Sequence, residues 1–331
     1  MKWEDTKVLI TGATGSFGKN LVRKLLDKYH PAVIRIFSRD ELKQYEMRGN
    51  GYDHKSLRYF IGDIRDYSRL KLAVRDVDVI IHAAALKQVP SCEYNPFEAI
   101  KTNIIGSQNV IRAALENNVQ KILALSTDKS VNPVNLYGAT KLCAEKLFIN
   151  ANSYVGDRDI RLSCVRYGNV LASRGSVIQL FEKQKESGTV TVTDRRMTRF
   201  WLTLEQSVEF VIDSIEKMKG GEVFIPKVPS MKIIDLAKTI VPDCSVKEVG
   251  IRPGEKIHEI LVTKDESRFG REYQDHFLIE PSHPAYEKNW RDGKDMPDGF
   301  EYRSDKNDTW LTGPELLELL KNPSAPRKIK S

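Results

Sequence analysis

A tyrosine and a lysine four positions apart are the first residues in this sequence that could do chemistry. Tyr137 and Lys141 stand in LYGATKL, at the start of a segment, 136–152, with helical spacing. On a helix the two side chains share a face, with Cβ atoms ~5–6 Å apart. A nearby ammonium stabilises a phenolate and lowers the pKa of the tyrosine, so the pattern predicts that Tyr137 is a base near neutral pH. Thr127, at the end of the preceding predicted strand, can hydrogen-bond the same phenol.

A glycine-rich loop near the start of the chain is a second candidate site. TGATGSFGKN places Gly12, Gly15 and Gly18 between a predicted strand, 8–11, and a predicted helix, 18–29. Glycine tolerates positive φ and lets backbone amides approach a pyrophosphate, and the helix N-terminus adds positive partial charge. A plain tight turn would need neither the strand before it nor the helix after it. The loop therefore predicts a dinucleotide-binding site.

The end of the second predicted strand, 33–37, indicates which dinucleotide is bound. Ser38 and Arg39 suit a 2′-phosphate, which a guanidinium binds bidentately, so the sequence favours NADP over NAD. The alternative is that Arg39 is solvated and Asp40 binds the ribose of NAD. Asp63, after the third predicted strand, either meets the adenine edge or caps the next helix. The predicted cofactor contacts are Gly12, Thr14, Gly15, Ser16, Phe17, Gly18, Ser38, Arg39, Asp63, Ile64, Ala83, Ala84, Ala85, Lys87, Tyr137 and Lys141.

An alternating α/β fold must position these residues. Short apolar runs alternate with amphipathic segments up to about residue 170. This pattern predicts a Rossmann-type, doubly wound parallel sheet with right-handed crossovers and helices on both faces. We expect an NADP-binding Rossmann domain at 1–170 plus about 198–225, and a smaller C-terminal substrate domain at 171–197 and 226–322. The basic tail, 323–331, is predicted to be disordered.

Composition and charge narrow the class of protein. The 331 residues are 40% hydrophobic and 29% charged, with a net charge of +7. The basic residues are dispersed, so the charge fits a dinucleotide and a nucleotide diphosphate, and no nucleic-acid partner is expected. Four scattered cysteines form no CxxC or Cys/His cluster, so we expect no metal site. No apolar run approaches the roughly 20 residues of a membrane span and the start, MKWEDT, is polar, so we expect a cytosolic protein without a membrane partner.

Longer blocks of the sequence carry a family resemblance. TGATGSFG, HAAA, the Thr127/Tyr137/Lys141 trio and RYGNV resemble the extended short-chain dehydrogenases that act on nucleotide sugars. From about residue 7 to about residue 320, further blocks are similar to the inverting UDP-N-acetylglucosamine 4,6-dehydratases that open the pseudaminic-acid pathway. These blocks are SRDELKQ, AAALKQVP, EYNPFEAIKTN, LSTDKSVNPVNLYGATKL, VRYGNVLASRGSV, RMTRFW, GGEVFIPKVPSMK and GIRPGEKIHE.

The resemblance implies roles for the two residues that follow Thr127. Sugar dehydratases that retain configuration have Asp-Glu at this place, and the inverting family has Asp-Lys, as this sequence does. Asp128 would then be the acid toward the carbon-6 hydroxyl, and Lys129 the base at carbon 5. Lys129 must be neutral to act, so we expect burial or the cation Lys141 to lower its pKa. The alternative is a solvated salt bridge between Asp128 and Lys129.

The reaction implied by the resemblance has no net redox change. Tyr137 takes the proton of the carbon-4 hydroxyl while hydride passes to NADP+, Lys129 and Asp128 remove water, and hydride returns to carbon 6. The expected product from UDP-N-acetylglucosamine is UDP-2-acetamido-2,6-dideoxy-β-L-arabino-hex-4-ulose. Two other functions stay open: a UDP-sugar 4-epimerase, which needs only Tyr137 and Lys141, and a non-catalytic NADP-sensing or RNA-binding protein. The resemblance also implies a homo-oligomer.

Candidate substrate contacts follow the strands or lie in C-terminal loops. Lys87 and Asn169 follow predicted strands, at the edge where ligands bind in open α/β folds. Arg199 and Arg252 are candidates for the diphosphate and Glu255 for a hydroxyl of the uridine ribose, with ordinary solvation as the alternative. The candidate substrate contacts are Lys87, Asn169, Arg174, Met197, Arg199, Arg252 and Glu255.

Overall fold

Strands and helices alternate through the first half of the chain, as the sequence predicts. The computed structural model describes residues 1–171, 175–282, 290, 292–325 and 327. The strands are β1 (Lys7–Thr11), β2 (Val33–Ser38), β3 (Leu57–Ile61), β4 (Val79–His82), β5 (Lys121–Leu125), β6 (Arg161–Val165), β7 (Asn169–Val170), β8 (Thr189–Val192), β9 (Thr198–Leu202), β10 (Val223–Pro226), β11 (Ser230–Lys232), β12 (Ser245–Glu248), β13 (Ile260–Val262), β14 (Gly270–Glu272), β15 (His276–Ile279), β16 (Lys294–Asp295) and β17 (Tyr302–Arg303).

The helices account for the amphipathic segments of the sequence. They are α1 (Ser16–Lys24), α2 (Glu41–Gly49), α3 (Tyr67–Val74), α4 (Val89–Tyr94), α5 (Pro96–Ile100), α6 (Gly106–Glu116), α7 (Leu136–Asn150), α8 (Val177–Gln184), α9 (Leu204–Lys217), α10 (Ile233–Ile240) and α11 (Gly313–Lys321). A π-helical turn, Lys101–Ile105, joins α5 to α6. Within the described ranges, no helix is long and apolar enough to cross a bilayer.

The large sheet has a parallel centre and an antiparallel edge. Its parallel strands lie in the order β3-β2-β1-β4-β5-β6-β10, and β15, β14 and β16 extend the β10 edge antiparallel. All four residues of β4 are buried, and so are four of the five residues of β1. Strands covered by helices on both faces read as continuous apolar runs, which is why VIIH and VLIT contain almost no polar residue. The predicted α/β Rossmann-type fold is therefore confirmed.

A second hydrophobic core lies in the C-terminal part of the chain. Phe181 of α8, Trp201 of β9 and Leu236 of α10 are among its buried members. Two small sheets accompany these helices, β11-β9-β7 and β12-β8. The chain enters this smaller unit through β7, which follows β6 and pairs with β9.

The predicted domain boundaries need two corrections. Helix α9 packs on α1 and β5, and β10 joins the large sheet, so residues 204–226 return to it as predicted. Strand β9 does not return, because it pairs with β7 and β11 in a small sheet. Strands β14 and β15, which the sequence assigns to the second unit, extend the large sheet instead. Strand β15 pairs with β10, and β14 pairs with β15. Local sequence patterns do not reveal such pairings, because the paired strands β10 and β15 lie far apart in the sequence.

The basic tail is packed where the structure describes it. Thr203 and Gln206, which form the capping box of α9, donate side-chain hydrogen bonds to the carbonyl oxygens of Pro323 (2.6 Å) and Ala325 (2.8 Å). The Arg327 guanidinium lies 3.1 Å from the Asp275 carboxylate. Residues 323–325 and 327 thus have contacts in the structure, 326 and 328–331 lie outside the described residues, and the disorder expected for 323–331 stays a prediction.

Candidate active site

One large cleft of about 1060 Å³ lies at the carboxyl ends of the parallel strands. This is the edge at which open α/β sheets bind ligands. Its lining includes nearly all of the predicted cofactor contacts and most of the predicted catalytic residues. The predicted residues on its wall are Gly12, Thr14, Gly15, Ser16, Phe17, Gly18, Ser38, Arg39, Asp63, Ile64, Ala83, Ala84, Ala85, Lys87, Thr127, Lys129, Tyr137, Lys141 and Asn169.

The glycine loop forms one end of the cleft. Gly12 has a φ of +70°, and a Cβ there would lie 2.9 Å from the backbone nitrogen of Ala84. A Cβ on Gly18 would lie 2.4 Å from the Cα of Ala13. Both positions therefore need glycine, because a side chain would push the loop away from its neighbours. Helix α1 begins at Ser16, so its N-terminal amides open onto the cleft and suit a pyrophosphate.

The end of β2 brings two cations and two carboxylates to the wall of the cleft. Arg39 is 52% exposed in its side chain and lies 3.6 Å from the Asp63 carboxylate. Asp40 is the N-cap of α2, accepting a hydrogen bond from the Lys43 amide (3.0 Å), and its carboxylate also pairs with the Lys43 ammonium at 2.5 Å. Asp40 is thus engaged by its own helix, and Lys43 adds a second cation to the cleft wall.

Asp63 does not cap the helix that follows it, and its predicted contact with the adenine edge stays a prediction. Helix α3 has Asp66 as its N-cap. The Asp63 carboxylate instead accepts hydrogen bonds from the Arg65 backbone amide (2.9 Å) and guanidinium (2.8 Å). Burial works against ionisation of Asp63, but these bonds and the two arginine charges, from Arg65 and Arg39, hold its pKa below the ordinary value. Asp63 stays on the cleft wall as a carboxylate.

Helix α7 brings Tyr137 and Lys141 to the cleft, as predicted. The Asn135 side chain caps the helix by accepting a hydrogen bond from the Gly138 amide at 2.7 Å. Both Tyr137 and Lys141 are buried, and the Lys141 ammonium donates to the Leu125 carbonyl oxygen at 2.6 Å. The pair therefore reaches the cleft from one turn of helix, on the face that covers β5.

The cation that acts on Tyr137 is not the predicted one. Burial raises the pKa of Tyr137 to about 12, and the charge of Lys129 and a hydrogen bond with Thr127 oppose this rise. Burial also lowers the pKa of Lys141. The prediction that the Lys141 charge lowers the tyrosine pKa is corrected accordingly, since the opposing cation here is Lys129.

Asp128 and Lys129 form a buried ion pair rather than a solvated one. The Asp128 side chain is fully buried, and its Oδ1 accepts hydrogen bonds from Lys129 Nζ (2.9 Å) and Thr127 Oγ1 (3.0 Å). Its Oδ2 is buried without a hydrogen-bond partner. Burial raises the pKa of Asp128 against the pull of the lysine charge. The pair thus places a buried carboxyl group and a partly exposed amine at hydrogen-bond distance beside the cleft.

The expected lowering of the Lys129 pKa is wrong in this arrangement. Burial does lower it, but the carboxylates of Asp128 and Glu259 outweigh burial and raise the pKa above its ordinary value. Lys141 is not the controlling neighbour. The reason is a second anion, Glu259, which the sequence did not associate with this site.

Two further charged residues of the C-terminal segment reach the catalytic turn. Glu259 is buried, and its carboxylate lies 3.8 Å from Lys129 Nζ, 3.7 Å from Arg199 Nε and 3.4 Å from Lys256 Nζ. Lys256 Nζ donates to the carbonyl oxygens of Val131 (2.5 Å) and Asp128 (3.4 Å). The sequence did not predict these contacts of Glu259 and Lys256, because only the fold brings GEKIHE beside the turn at 128–131. The one sequence feature that could have indicated them is that GEKIHE belongs to a block with the family resemblance.

The predicted substrate contacts divide into two groups. Lys87 and Asn169 line the cleft; burial and then the charge of Lys129 lower the pKa of Lys87, and Asn169 Oδ1 is buried without a hydrogen-bond partner. The Oγ of Ser176 and the Nε1 of Trp201 are also buried on this wall without partners, although the sequence did not single them out. Three unpartnered polar atoms on one wall suit a polar ligand. Arg174 lies outside the described residues.

The other predicted substrate contacts do not border the cleft. Met197 belongs to the second hydrophobic core. Arg199 is buried and donates to the carbonyl oxygens of Thr198 (2.7 Å), Ile257 (3.0 Å) and Lys256 (2.9 Å), so its guanidinium serves the protein itself. Arg252 is exposed in a turn, and Glu255 is half-buried nearby.

Relatives of known name match nearly the whole chain. A family model described as polysaccharide biosynthesis protein matches residues 8–281. An inverting UDP-N-acetylglucosamine 4,6-dehydratase from Campylobacter jejuni is 52% identical over 323 residues, 95% of this chain and 96% of that protein. A UDP-glucose 4-epimerase from Rickettsia bellii is 41% identical over 329 residues, 96% of each chain.

Solved structures of similar proteins also cover most of the chain. Pen from Bacillus thuringiensis is 41% identical, with a TM-score of 0.89 over 98% of this chain and 99% of that one. A dTDP-glucose 4,6-dehydratase from Streptomyces venezuelae, solved with NAD bound, is 21% identical, with a TM-score of 0.69 over 76% of this chain and 87% of that one, and it supports the fold alone. The chain therefore belongs to the polysaccharide biosynthesis protein family, within the extended short-chain dehydrogenases that its motifs predict.

Proposed function

We propose that this protein dehydrates UDP-N-acetylglucosamine across carbons 4 and 6 with inversion at carbon 5. The product would be UDP-2-acetamido-2,6-dideoxy-β-L-arabino-hex-4-ulose. The observation that carries the proposal is the buried Asp128–Lys129 pair, 2.9 Å apart, on the same turn as Thr127 and beside Tyr137. The 52% identity to an inverting dehydratase supports the same substrate.

The proposed cofactor is NADP. The Gly12 and Gly18 cradle and the start of α1 would hold the pyrophosphate, and Arg39 with Lys43 would hold the 2′-phosphate. When bound, the nicotinamide accepts a hydride from carbon 4 and returns it to carbon 6. Arg39→Ala is expected to weaken NADP binding about tenfold or more while leaving NAD binding nearly unchanged, since a charge-assisted contact is lost. Titration of both dinucleotides by tryptophan fluorescence measures this difference, and equal weakening of both would contradict it.

The residues of the chain divide the proton transfers among them. Tyr137, as a phenolate, accepts the proton of the carbon-4 hydroxyl and becomes a phenol. The hydrogen bond with Thr127 and the charge of Lys129 favour the phenolate that this step requires. The ketone at carbon 4 then makes the carbon-5 proton acidic. Lys129 removes that proton, and Asp128 gives a proton to the departing carbon-6 hydroxyl. As hydride returns to carbon 6, the Tyr137 phenol would protonate carbon 5 from the opposite face, which inverts this centre and restores the phenolate.

The proton shared by Asp128 and Lys129 makes these roles compatible. Moving one proton along the 2.9 Å contact from Lys129 to Asp128 turns the ion pair into a carboxylic acid and a neutral amine. Those are the forms needed before elimination. After elimination Lys129 carries the carbon-5 proton and Asp128 is a carboxylate, which is the ion pair again. The ion pair is the resting form, and burial reduces the cost of this transfer because the neutral pair has no charge to desolvate.

Turnover in deuterated water tests this function. The protein with NADP+ and UDP-N-acetylglucosamine is expected to give a product with a methyl group at carbon 6, deuterium at carbon 5 and the couplings of the inverted ring by NMR. A product that keeps its carbon-6 hydroxyl would contradict the proposal.

A UDP-sugar 4-epimerase is the second candidate, because a relative of that name is 41% identical over nearly the whole chain. An epimerase needs Tyr137 and Lys141 but neither an acid nor a base at the far carbons. A buried acid–amine pair would then have no function. The same NMR experiment separates the two, since epimerisation changes only the carbon-4 configuration.

We also propose that the protein forms a homo-oligomer through helices beside the active site. Tyr94 of α4 and Phe97 of α5 are 88% and 74% exposed, which is unusual for side chains of this size. Sedimentation should give a mass above one chain, and Tyr94→Glu with Phe97→Glu should lower it. A single-chain mass for the parent protein would contradict the proposal.

A further inference from the structure

Glu259 is a buried carboxylate that the reaction as proposed does not use. It precedes β13, its backbone amide donates to Ser304 Oγ at 2.9 Å, and the Ser304 amide donates back to its carbonyl oxygen at 2.9 Å. The backbone is therefore fixed on both sides. Its Oε2 is buried, and among the described residues it meets only the Lys256 ammonium, at 3.4 Å, without good hydrogen-bond geometry. A carboxylate held this way, with unused bonding capacity, has a role beyond packing to be explained.

Three cations surround this carboxylate, and each belongs to a different part of the molecule. Lys129 comes from the turn after β5, Arg199 from β9, and Lys256 from the same segment as Glu259. Burial opposes ionisation of Glu259, but the three charges hold its pKa below the ordinary value. Arg199 is fixed by carbonyl oxygens, and Lys256 by those of Asp128 and Val131. Lys129, which lines the cleft, is therefore the cation whose charge can change during the reaction.

We propose that Glu259 is a positioning residue that stabilises the protonated form of Lys129 once this lysine has taken the carbon-5 proton. This inference rests on the proposed dehydration. Lys129 rests as a cation, and only after it has passed a proton to Asp128 is it the neutral amine that can take the carbon-5 proton; in that form it gains little from Glu259. After proton transfer it is a cation 3.8 Å from a buried anion, in surroundings where water screens little. An interaction that is stronger after proton transfer than before it favours the elimination step.

The geometry also explains why the anion is a second carboxylate rather than Asp128 alone. Asp128 must give up its own proton to the leaving hydroxyl, so it is neutral when the carbon-5 proton begins to move. Glu259 remains charged throughout, because Arg199 and Lys256 accompany it. It therefore supplies a constant negative charge while Asp128 changes its charge.

Glu259→Gln in the full chain with NADP+ tests the proposal. Deuterium exchange at carbon 5 is expected to slow roughly tenfold, since one pKa unit of Lys129 is a tenfold change in its proton affinity. The KM for UDP-N-acetylglucosamine and the single-turnover rate of nicotinamide reduction are expected to stay near the parent values. Wild-type exchange at carbon 5 would overturn the proposal.

The pH profile gives a readout that a merely structural role would not move. The charged or titratable groups facing Lys129 are Asp128, Glu259, Arg199, Lys87 and Tyr137. Removing one anion lowers the proton affinity of the Asp128–Lys129 pair, so both limbs of the kcat profile should move to lower pH by about one unit. An unshifted profile in a folded variant would overturn the proposal.

Lys256→Met tests the same proposal with a shift of the kcat pH profile in the opposite direction. It removes a cation beside Glu259, so the limbs should move to higher pH, and this variant decides the matter if Glu259→Gln does not fold. Glu272→Gln is the matched control. Glu272 lies on β14, away from the cleft, and pairs with Lys227 at 2.7 Å, so this variant should leave the pH profile unchanged. If the parent protein exchanges no deuterium at carbon 5, the proposed function fails. If the parent exchanges deuterium and the variants match its rate and pH profile, the proposed function stands and only the role of Glu259 fails.

Discussion

Two buried charge clusters lie at the two ends of β13, and they differ in how completely their groups are bonded. The first cluster is centred on Arg166, which follows β6. Its guanidinium donates five hydrogen bonds of 2.6–3.2 Å, to Glu145, to Glu266 just after β13 and to the Leu261 carbonyl oxygen within β13. Before β13, Glu259 faces its cations at 3.4–3.8 Å, and both Glu259 and Asp128 keep one oxygen without a hydrogen bond of good geometry among the described residues.

This difference separates a structural cluster from a reactive one. A fully hydrogen-bonded buried network holds a single protonation state, because any proton transfer breaks a bond. An incompletely bonded cluster can exchange a proton with a ligand at lower cost. The Asp128–Lys129–Glu259 cluster therefore has the loose bonding that acid–base chemistry needs, and the Arg166 cluster ties the sheet to the C-terminal segment.

Lys129→Ala should give the largest effect on activity. Losing a positioned base is expected to slow dehydration by about 10²–10⁴-fold. The free energy of unfolding should fall less than in an Arg166 variant, because Asp128 can take up a proton when its cation is lost. Product formation by NMR and a urea unfolding curve measure the two quantities. Dehydration at the parent rate would refute the base assignment.

Arg166→Met should give the largest effect on stability. It leaves the buried Glu145 carboxylate without its cation, which is expected to lower the free energy of unfolding by about 3–5 kcal/mol. Activity per folded molecule should be nearly preserved. Arg161→Met, which breaks a contact with the exposed Asp159, is the control and should change stability little. A stable but inactive Arg166 variant would erase the distinction between the clusters.

Acid should destabilise the Arg166 cluster in a predictable direction. Burial raises the pKa of Glu266, but Arg166 outweighs it, so the folded pKa lies below the unfolded one. The stabilisation is therefore complete above the unfolded pKa of about 4.3 and is lost as the pH falls through the folded value. Urea midpoints should fall more steeply with acid in the parent than in Glu266→Gln, and parallel curves would contradict this.

Ser130→Ala should give the smallest effect. The Ser130 hydroxyl lies between the clusters, donating to the Thr127 carbonyl at 2.6 Å and contacting Ser126 Oγ at 3.1 Å. Its loss should cost about 1–2 kcal/mol of stability, with dehydration changed less than about threefold. A large loss of activity would mean that the clusters are coupled and not independent.

The sequence predicts those features that are encoded locally. The glycine loop before α1 is confirmed, and so is the reach of Tyr137 and Lys141 to one cleft, because a turn of helix and a strand-to-helix junction are local patterns. The expected lowering of the Lys129 pKa is wrong, because that pKa depends on Glu259, which only the fold brings near. The same reason explains Arg327, whose contact with Asp275 the tail composition does not reveal.

A single-turnover experiment with Asp128→Asn tests the acid–base pair most directly. The variant keeps Tyr137 and the cofactor cleft, so mixing it with NADP+ and UDP-N-acetylglucosamine should reduce the nicotinamide. Without an acid for the carbon-6 hydroxyl, the reduced absorbance should then persist and no dehydrated sugar should form. If the absorbance instead decays at the parent rate and the carbon-6 methyl group appears, Asp128 is not the acid and the account of this site is wrong.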